Sequence, residues 1–246
     1  WSSGEADTVT SVKNDPAPQL APTDAIDWPI APREPTTRDR HGHRDDDPFA
    51  WMRNVEDPRL LAHLEAENTA TESATAPLDG LRATLFDEIK GRVRETDLSV
   101  PWRKGDWWYQ ARTFEGRAYP VHVRIPVDPA RPDVPPAIES GDTEDLATAE
   151  GHAQVVLDEN AVAEGHDYSQ VGAAAVSPDG RLLAWSVDHT GDETYRVTIR
   201  DLDNGTDRDE IIEGASTGLA WSADSRHLLY TTLDATHRPW QVWRHE

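Results

Sequence analysis

Val176-Ser177-Pro178-Asp179-Gly180-Arg181-Leu182-Leu183-Ala184-Trp185 returns 45 positions later (176 to 221) as Trp221-Ser222-Ala223-Asp224-Ser225-Arg226-His227-Leu228-Leu229-Tyr230. The register holds beyond it, since Tyr195 matches Trp240 and Val197 matches Val242. A period of about 40–45 residues, with a tight turn between short apolar runs, marks a β-propeller blade. One blade cannot bury both faces of its sheet, so blades occur in rings of about four to eight. Glu246 falls inside a repeat, so the sequence reads as part of a larger protein.

Turn chemistry agrees with this reading. In Ser177-Pro178-Asp179-Gly180, proline suits the second turn position and glycine offers a positive φ. Asp203-Asn204-Gly205 is a second turn, of a kind favoured in tight hairpins. Tyr119, Val121, Val123 and Ile125 alternate with Pro120, His122 and Arg124, the period of a half-buried strand. Tyr195-Arg196-Val197-Thr198-Ile199 alternates in the same way, and Trp107-Trp108-Tyr109 and Val155-Val156-Leu157 are further strands. At an offset of 76, Tyr109 meets Trp185 and Tyr119 meets Tyr195, so residues 98–127 begin an earlier blade.

Upstream the period is helical. Asp57 can cap a helix that Pro58 opens. Leu60, Leu61 and Leu64 form its apolar stripe, and Pro77 ends it. A second helix, with Asp79 as its cap, carries Leu81, Leu85, Ile89 and Val93 with Phe86 beside them, and runs to about Glu95. Residues 1–45 are rich in Ser, Thr, Asp and Pro and poor in apolar side chains, the composition of a disordered tail. Trp28 and Ile30 are its candidate contacts with a partner domain. Residues 128–150, with Pro129, Pro132, Pro135 and Pro136, read as a loop. The organisation expected is therefore a tail or linker at 1–45, a helical segment at 46–96 and truncated first blades of a propeller at 97–246. The fold class is mainly β with an N-terminal α-helical segment. Helices precede strands, which excludes an alternating βαβ pattern.

The 246 residues carry 46 acidic against 24 basic side chains, a formal net charge of −22. Such a surface repels nucleic acid and anionic membranes, and no run of about 18 apolar residues could span a bilayer. It is compatible with cationic peptides. The absence of cysteine excludes disulfides and thiolate metal sites and fits a cytoplasmic setting. The first residue is Trp1 rather than Met, so the natural N-terminus and any targeting signal lie open.

Several local patterns imitate sites. Gly214-Ala215-Ser216-Thr217-Gly218 matches the G-x-S-x-G elbow of serine hydrolases, with Asp224 or Asp234 and His237 or His245 following in order. The elbow needs a strand before it and a helix after it, whereas Leu219-Ala220-Trp221-Ser222 is the start of the repeat. His41-Gly42-His43 with Asp45, Asp46 and Asp47 is too short a cluster to define a metal site. Asp188, Asp192 and Glu193 fit no complete calcium ligand set and read as a solvated hairpin loop. Trp51, Trp107, Trp108, Trp185, Trp221, Trp240 and Trp243 read as packing between blades rather than a ligand platform. His166 reads as structural. The sequence thus names no catalytic, cofactor-binding or metal residue and calls for no cofactor.

Asp47-Pro48-Phe49-Ala50-Trp51-Met52-Arg53 resembles the opening of the prolyl oligopeptidase family, and Leu64-Glu65-Ala66-Glu67-Asn68 resembles its following helix. Ser99-Val100-Pro101-Trp102-Arg103-Lys104-Gly105, Tyr119-Pro120-Val121, Leu157-Asp158-Glu159-Asn160, Val176-Ser177-Pro178-Asp179-Gly180 and Pro239-Trp240-Gln241-Val242-Trp243-Arg244-His245 are similar to its oligopeptidase B branch. The resemblance covers about residues 45–246. It implies about two to three blades of a seven-bladed ring, followed in the same polypeptide by a C-terminal α/β-hydrolase domain that holds the Ser, Asp and His of the triad. It also implies hydrolysis of short peptides, after Lys or Arg, with the propeller as a lid that limits substrate size and the helices wrapping the catalytic domain. None of the family's triad positions exists in these 246 residues, so this chain alone is expected to be inactive. The alternative from another class is a stand-alone propeller-type binding module without catalysis.

Overall fold

A computed structural model describes residues 26–135 and 153–246, together with Gln19. The rest of the expected tail, and residues 136–150 of the proline-rich loop, lie outside the described residues. The chain divides into two compact units, Trp1–Val93 and Arg94–Glu246.

The first unit opens on a hairpin that the composition hides. Strands β1 (Thr37–Arg40) and β2 (His43–Asp46) pair antiparallel around His41-Gly42, from Thr37 opposite Asp46 to Arg40 opposite His43. This corrects the reading of residues up to 45 as tail. Both strands are polar on both faces, so no period-2 signal exists to betray them. Trp28 and Ile30, before the hairpin, are exposed. Beyond it, a 3-10 turn at Ala50–Arg53 buries Trp51, whose Nε1 donates to the Pro32 carbonyl at 2.9 Å. Arg59 lies over the same ring, 4.9 Å from its centroid.

Helix α1 (Pro58–Thr75) starts as expected, with the Asp57 carboxylate accepting from the Arg59 amide at 3.0 Å. The Arg59 guanidinium, together with that amide hydrogen bond, holds the Asp57 carboxyl down at about 2. A 3-10 turn, Ala76–Leu78, contains Pro77 and runs straight into α2 (Asp79–Lys90). Asp79 is therefore the first helical residue and not a cap, because its own amide already bonds the Ala76 carbonyl. Its carboxylate pairs with Arg82 at 3.1 Å instead. Helix α2 ends at Lys90 rather than near Glu95. There the bonding tightens, with Arg92 and Val93 amides on the Ile89 and Lys90 carbonyls. Leu61, Leu64, Leu81, Leu85, Phe86, Ile89 and Val93 all remain exposed.

The second unit is a succession of antiparallel leaves. The first contains β3 (Asp97–Leu98), β4 (Trp102–Lys104), β5 (Trp107–Thr113), β6 (Val121–Pro126) and β7 (Gln154–Asp158), with β3 and β4 both paired to β5. Proline 101, which has no amide hydrogen to give a ladder, sits in the gap between those two short strands. A short helix, α3 (Glu159–Ala163), capped by Asp158, leads onward. Six strands follow in sequential spatial order: β8 (Gln170–Val176), β9 (Leu182–Asp188), β10 (Tyr195–Asp201), β11 (Thr206–Trp221), β12 (Leu228–Leu233) and β13 (Pro239–His245).

β11 belongs to two leaves. Its first part pairs with β10 and its last part with β12, and Ala215 faces both Tyr195 and Thr232. The bend falls at Gly214, whose φ of +71° is costly for any residue with a Cβ. β8–β11 thus form one four-stranded leaf, and β11–β13 form three strands of the next. The offset of 76 holds as well, because β5 corresponds to β9 and β6 to β10.

β9 explains the packing. Leu183, Trp185 and Val187 join Tyr109, Val156 and Leu157 in a core between the first and second leaves. Ala184, on the other face of β9, joins Val197, Ile199, Ala215 and Leu228 in a core between the second and third. A leaf buried on both faces reads as a continuous apolar run, and Leu182-Leu183-Ala184-Trp185 is one.

The loop after β9 is not simply solvated. Asp188 is 1% exposed. Its carboxylate accepts from the amides of Thr190 at 2.7 Å, Gly191 at 3.0 Å and Glu193 at 2.9 Å, and from the Thr190 hydroxyl at 2.9 Å. Burial opposes its charge, but these donors outweigh burial and hold the carboxyl below its ordinary range. Asp188 is the keystone of a turn, and beside it Asp192 accepts from the Thr194 amide and shares the single Thr190 hydroxyl proton with Asp188.

Two outcomes are expected. Leu228→Ala, at a fully buried site, should cost about 2–5 kcal/mol in urea unfolding, and Leu229→Ala, 38% exposed, should cost under about 1 kcal/mol. Because the Asp188 pKa is depressed on folding, its contribution is complete above the unfolded value near 3.8 and is lost as pH falls through the lower folded value. The stability advantage over Asp188→Asn, followed by thermal melts from pH 7 to 2.5, should therefore be constant near neutrality and shrink below about pH 4.

Candidate functional site

The repeated turns are equivalent bond for bond. Ser177 Oγ donates to the Asp179 carboxylate at 2.6 Å and accepts from the Leu182 amide at 2.9 Å. Ser222 Oγ does the same with Asp224 at 2.5 Å and the His227 amide at 2.9 Å. The Ser177 and Ser222 amides each return to the carbonyl five residues on, both at 2.8 Å. Gly180 and Ser225 close the two turns with φ of +75° and +61°. The turns also touch, with the Asp179 amide donating to Ser225 Oγ at 3.0 Å. The serine hydroxyls, assisted by the neighbouring amides, keep both carboxyls below their ordinary range.

The first and second leaves share no strand ladder, so long side chains make the polar links between them. Arg124 donates to the Gly180 carbonyl and to Gln154 Oε1 (2.7 Å for the latter) and lies 4.0 Å from the Trp107 ring centroid. Gln154 passes the link on to the Leu202 carbonyl. Lys104 Nζ reaches the Val176 carbonyl at 2.5 Å, and Arg200 reaches the Val156 carbonyl at 3.2 Å while Asp207 holds its other nitrogens. Trp221 Nε1 donates to the Ala175 carbonyl at 2.8 Å, joining the third leaf to the second.

A cleft of about 440 Å³ opens between the first leaf and β8, with Trp102, Tyr109, His122, Glu159, Val171 and Val176 in its lining. His122 Nε2 lies 2.6 Å from Glu159 Oε1. Trp102 and Tyr109 stack with centroids 4.7 Å apart. Burial raises the Tyr109 hydroxyl pKa, against the lowering effect of Arg124. Ser99, the hydroxyl in the lining, accepts from the Ala111 amide at 2.9 Å. Two of the motifs quoted above meet beside this cleft. Asn160 donates to the Tyr119 carbonyl at 2.8 Å and accepts from the Tyr119 amide at 3.1 Å, and the Glu159 amide donates to the Pro120 carbonyl at 3.2 Å. The arrangement can bind and orient a small polar group.

The candidate triad residues do not converge. Ser216 lies within β11, two residues past the bend, and no helix follows it. Asp224 is committed to Ser222 in the repeat turn, and Asp234 to Thr236 at 2.7 Å. His237 closes the β12–β13 turn with φ of +59°, and His245 faces Glu210 at 3.3 Å. In the other unit, His41 sits in the hairpin turn and His43 in β2. There Asp46 accepts from Thr37 at 3.0 Å, and Asp47 pairs with Arg38 at 3.3 Å and Arg53 at 2.7 Å. His166 stacks on His189, centroids 3.6 Å apart.

The tryptophans divide. Trp107, Trp185 and Trp221 pack between leaves, and Trp51 is buried in the first unit. Trp240 and Trp243 on β13 are 63% and 47% exposed, a correction to their expected packing. β13 is the edge of its sheet and has a leaf on one side only. Sequence reasoning missed Arg124 and Glu159. The one signal for Arg124 was a lone cation in an otherwise apolar-alternating strand, which the half-buried reading assigned to water.

Comparison with known proteins agrees with this geometry. Residues 29–246 match the family described as "Prolyl oligopeptidase, N-terminal beta-propeller domain". Dipeptidyl aminopeptidase BI of Pseudoxanthomonas mexicana is 36% identical over 207 residues, covering 83% of this chain and 28% of the relative. Protease 2 of Moraxella lacunata is 28% identical over 222 residues, covering 88% and 30%. Among solved structures, oligopeptidase B from Leishmania major superposes with a TM-score of 0.75 at 26% identity, covering 89% of this chain and 31% of that one. Oligopeptidase B from Trypanosoma brucei, in a closed form with covalently bound antipain, gives 0.68 at 30% identity, covering 92% and 29%. The chain spans less than a third of the length of these relatives. With equivalent leaves, equivalent turns and a family match over most of its length, this chain belongs to the prolyl oligopeptidase family and corresponds to part of its N-terminal β-propeller domain.

Proposed function

We propose that this chain is the lid and helical wrap of a serine oligopeptidase that hydrolyses short peptides after Lys or Arg, the catalytic triad being supplied by a hydrolase domain of the same polypeptide. The observation that carries the reading is the continuous β11. It leaves one leaf and begins the next through turns that repeat bond for bond, the construction of a ring that can roof a chamber. A roof with a narrow opening would admit flexible peptides and exclude folded proteins, a gating role. The preference for basic residues is supported by a net charge of −22, which draws cationic peptides, and by the likeness to oligopeptidase B. The chemistry would be acyl transfer to a serine, with histidine moving the proton. The cysteine-free composition supports a cytoplasmic setting.

The exposed faces of α1 and α2 support the wrapping role. Leu81, Leu85, Phe86, Ile89 and Val93 would cover, and be covered by, the hydrolase domain.

The test uses the full polypeptide. A fluorophosphonate probe should label a serine outside residues 1–246, and Ser216→Ala should label as strongly as wild type. Labelling lost in Ser216→Ala would contradict the proposal. An N-terminally blocked peptide with Arg before a fluorogenic leaving group should be cleaved and a folded protein should not. If only substrates with a free N-terminal dipeptide react, the activity is that named for the Pseudoxanthomonas relative instead. In the same polypeptide, Leu85→Glu combined with Ile89→Glu should lower both the melting temperature and the activity, whereas unchanged values would mean that this helical face stays in water.

A further inference from the structure

The cleft beside β8 exists because both of its walls carry small side chains. Ala174 pairs with Trp185 and so shares the face of the second leaf that meets the first, yet Ala174 is exposed. In the opposite wall, Ala111 of β5 stands in line with His122 of β6. Facing sheets lie about 10 Å apart, a gap that Tyr109, Val176 and Leu183 fill farther along and that two methyl groups cannot. The space left is about 440 Å³, ample for a side chain.

The two ends of this space differ in chemistry. At one end Trp102 is stacked on Tyr109 and remains 53% exposed, so an aromatic surface is open to a ligand. At the other, the His122 and Glu159 side chains are 33% and 15% exposed. His122 engages Glu159 Oε1, and Glu159 Oε2 has no hydrogen bond or ion pair among the described residues. Tyr109 and Ala111 are two residues apart, so the aromatic end and the carboxylate end are separated by about 7 Å. The cations of the first leaf are engaged elsewhere. Lys104, opposite Trp107 and so about 14 Å along β5 from Ala111, donates to the Val176 carbonyl. Arg124 is held by Gly180 and Gln154.

We propose that this cleft binds the side chain of a lysine in a peptide substrate. The four-carbon stem lies along the apolar stretch from Trp102 to Ala111, and the ammonium donates to Glu159 Oε2. Because His122 already takes one carboxylate oxygen, the cleft offers a single anionic acceptor. That suits a compact ammonium, whereas a guanidinium needs both oxygens for its paired contact. The Trp102 ring attracts the same cation as it enters, and a net charge of −22 favours its approach. That the lysine belongs to a substrate rests on the peptidase reading above, while the site rests on the cleft alone.

The experiment uses the full polypeptide with its reactive serine blocked by the fluorophosphonate, so that added peptide is not cut. Acetyl-Ala-Lys-Ala-amide is titrated calorimetrically at about pH 8, above the ordinary imidazole range. Wild type should bind one more equivalent of this peptide than Glu159→Gln does. At that extra site the norleucine and arginine analogues should bind at least about tenfold more weakly, the worth of one charge-assisted hydrogen bond. Should Glu159→Gln fail to fold, Ala174→Trp, which fills the cleft from β8 and leaves the carboxylate in place, should lose the same equivalent. Equal numbers of bound peptides in wild type and the variants overturn the proposal, and so does an extra site that norleucine or arginine fills as tightly as lysine. If no serine is labelled, the peptidase reading fails, and the titration still decides the cleft.

Discussion

A β-sheet with two apolar faces cannot stand alone, and β9 makes the second leaf such a sheet. Leu183 and Val187 need the first leaf, and Ala184, among the residues of the other core, needs the third. Fully burying one large aliphatic side chain is worth about 1.5–3 kcal/mol, so neither face can be left in water without losing a sizeable part of the stability of a small unit. Strand order, the bend at Gly214 and the turn geometry all serve this requirement. β11 passes between leaves without a loop, which fixes their spacing, and the Asp179–Ser225 bond ties the turns at one end.

Apolar packing alone would let leaves slide, and the long polar side chains resist that. Arg124, Gln154, Lys104 and Arg200 each cross to a main-chain carbonyl of the facing leaf. Carbonyls are suitable partners because they keep their positions when side chains vary, and each donor that reaches one avoids the cost of an unmet buried group.

Much of this was legible in the sequence because it rests on local chemistry. Ser-Pro-Asp-Gly specifies its turn through one hydroxyl, one carboxylate and one positive φ, so a single alignment exposed the second leaf and the third together. The elbow-like Gly214-Ala215-Ser216-Thr217-Gly218 was set aside because the start of the repeat follows it, but its place inside β11 and the purpose of its first glycine, the bend between leaves, needed coordinates. What was not legible depends on who covers whom. The β1–β2 hairpin has no apolar face to advertise it. Asp79 has the right identity for a cap but follows a 3-10 turn that has already used its amide. Trp240 looked like Tyr195, its repeat partner, yet Tyr195 is 3% exposed and Trp240 is 63% exposed, because only the former lies in a strand with leaves on both sides. Arg124 and Arg112 are both cations on neighbouring strands and differ in what lies within reach.

The central claim is that every leaf requires neighbours on both faces, and β13 tests it most directly. The leaf β11–β13 has three strands where β8–β11 has four, and Trp240, Val242 and Trp243 are exposed. Hydrogen–deuterium exchange of the 239–245 amides should be compared between this chain and the full polypeptide. The account predicts fast exchange in this chain and strong protection in the full polypeptide, with β9 protected in both. Equal, rapid exchange of β13 in both would contradict it.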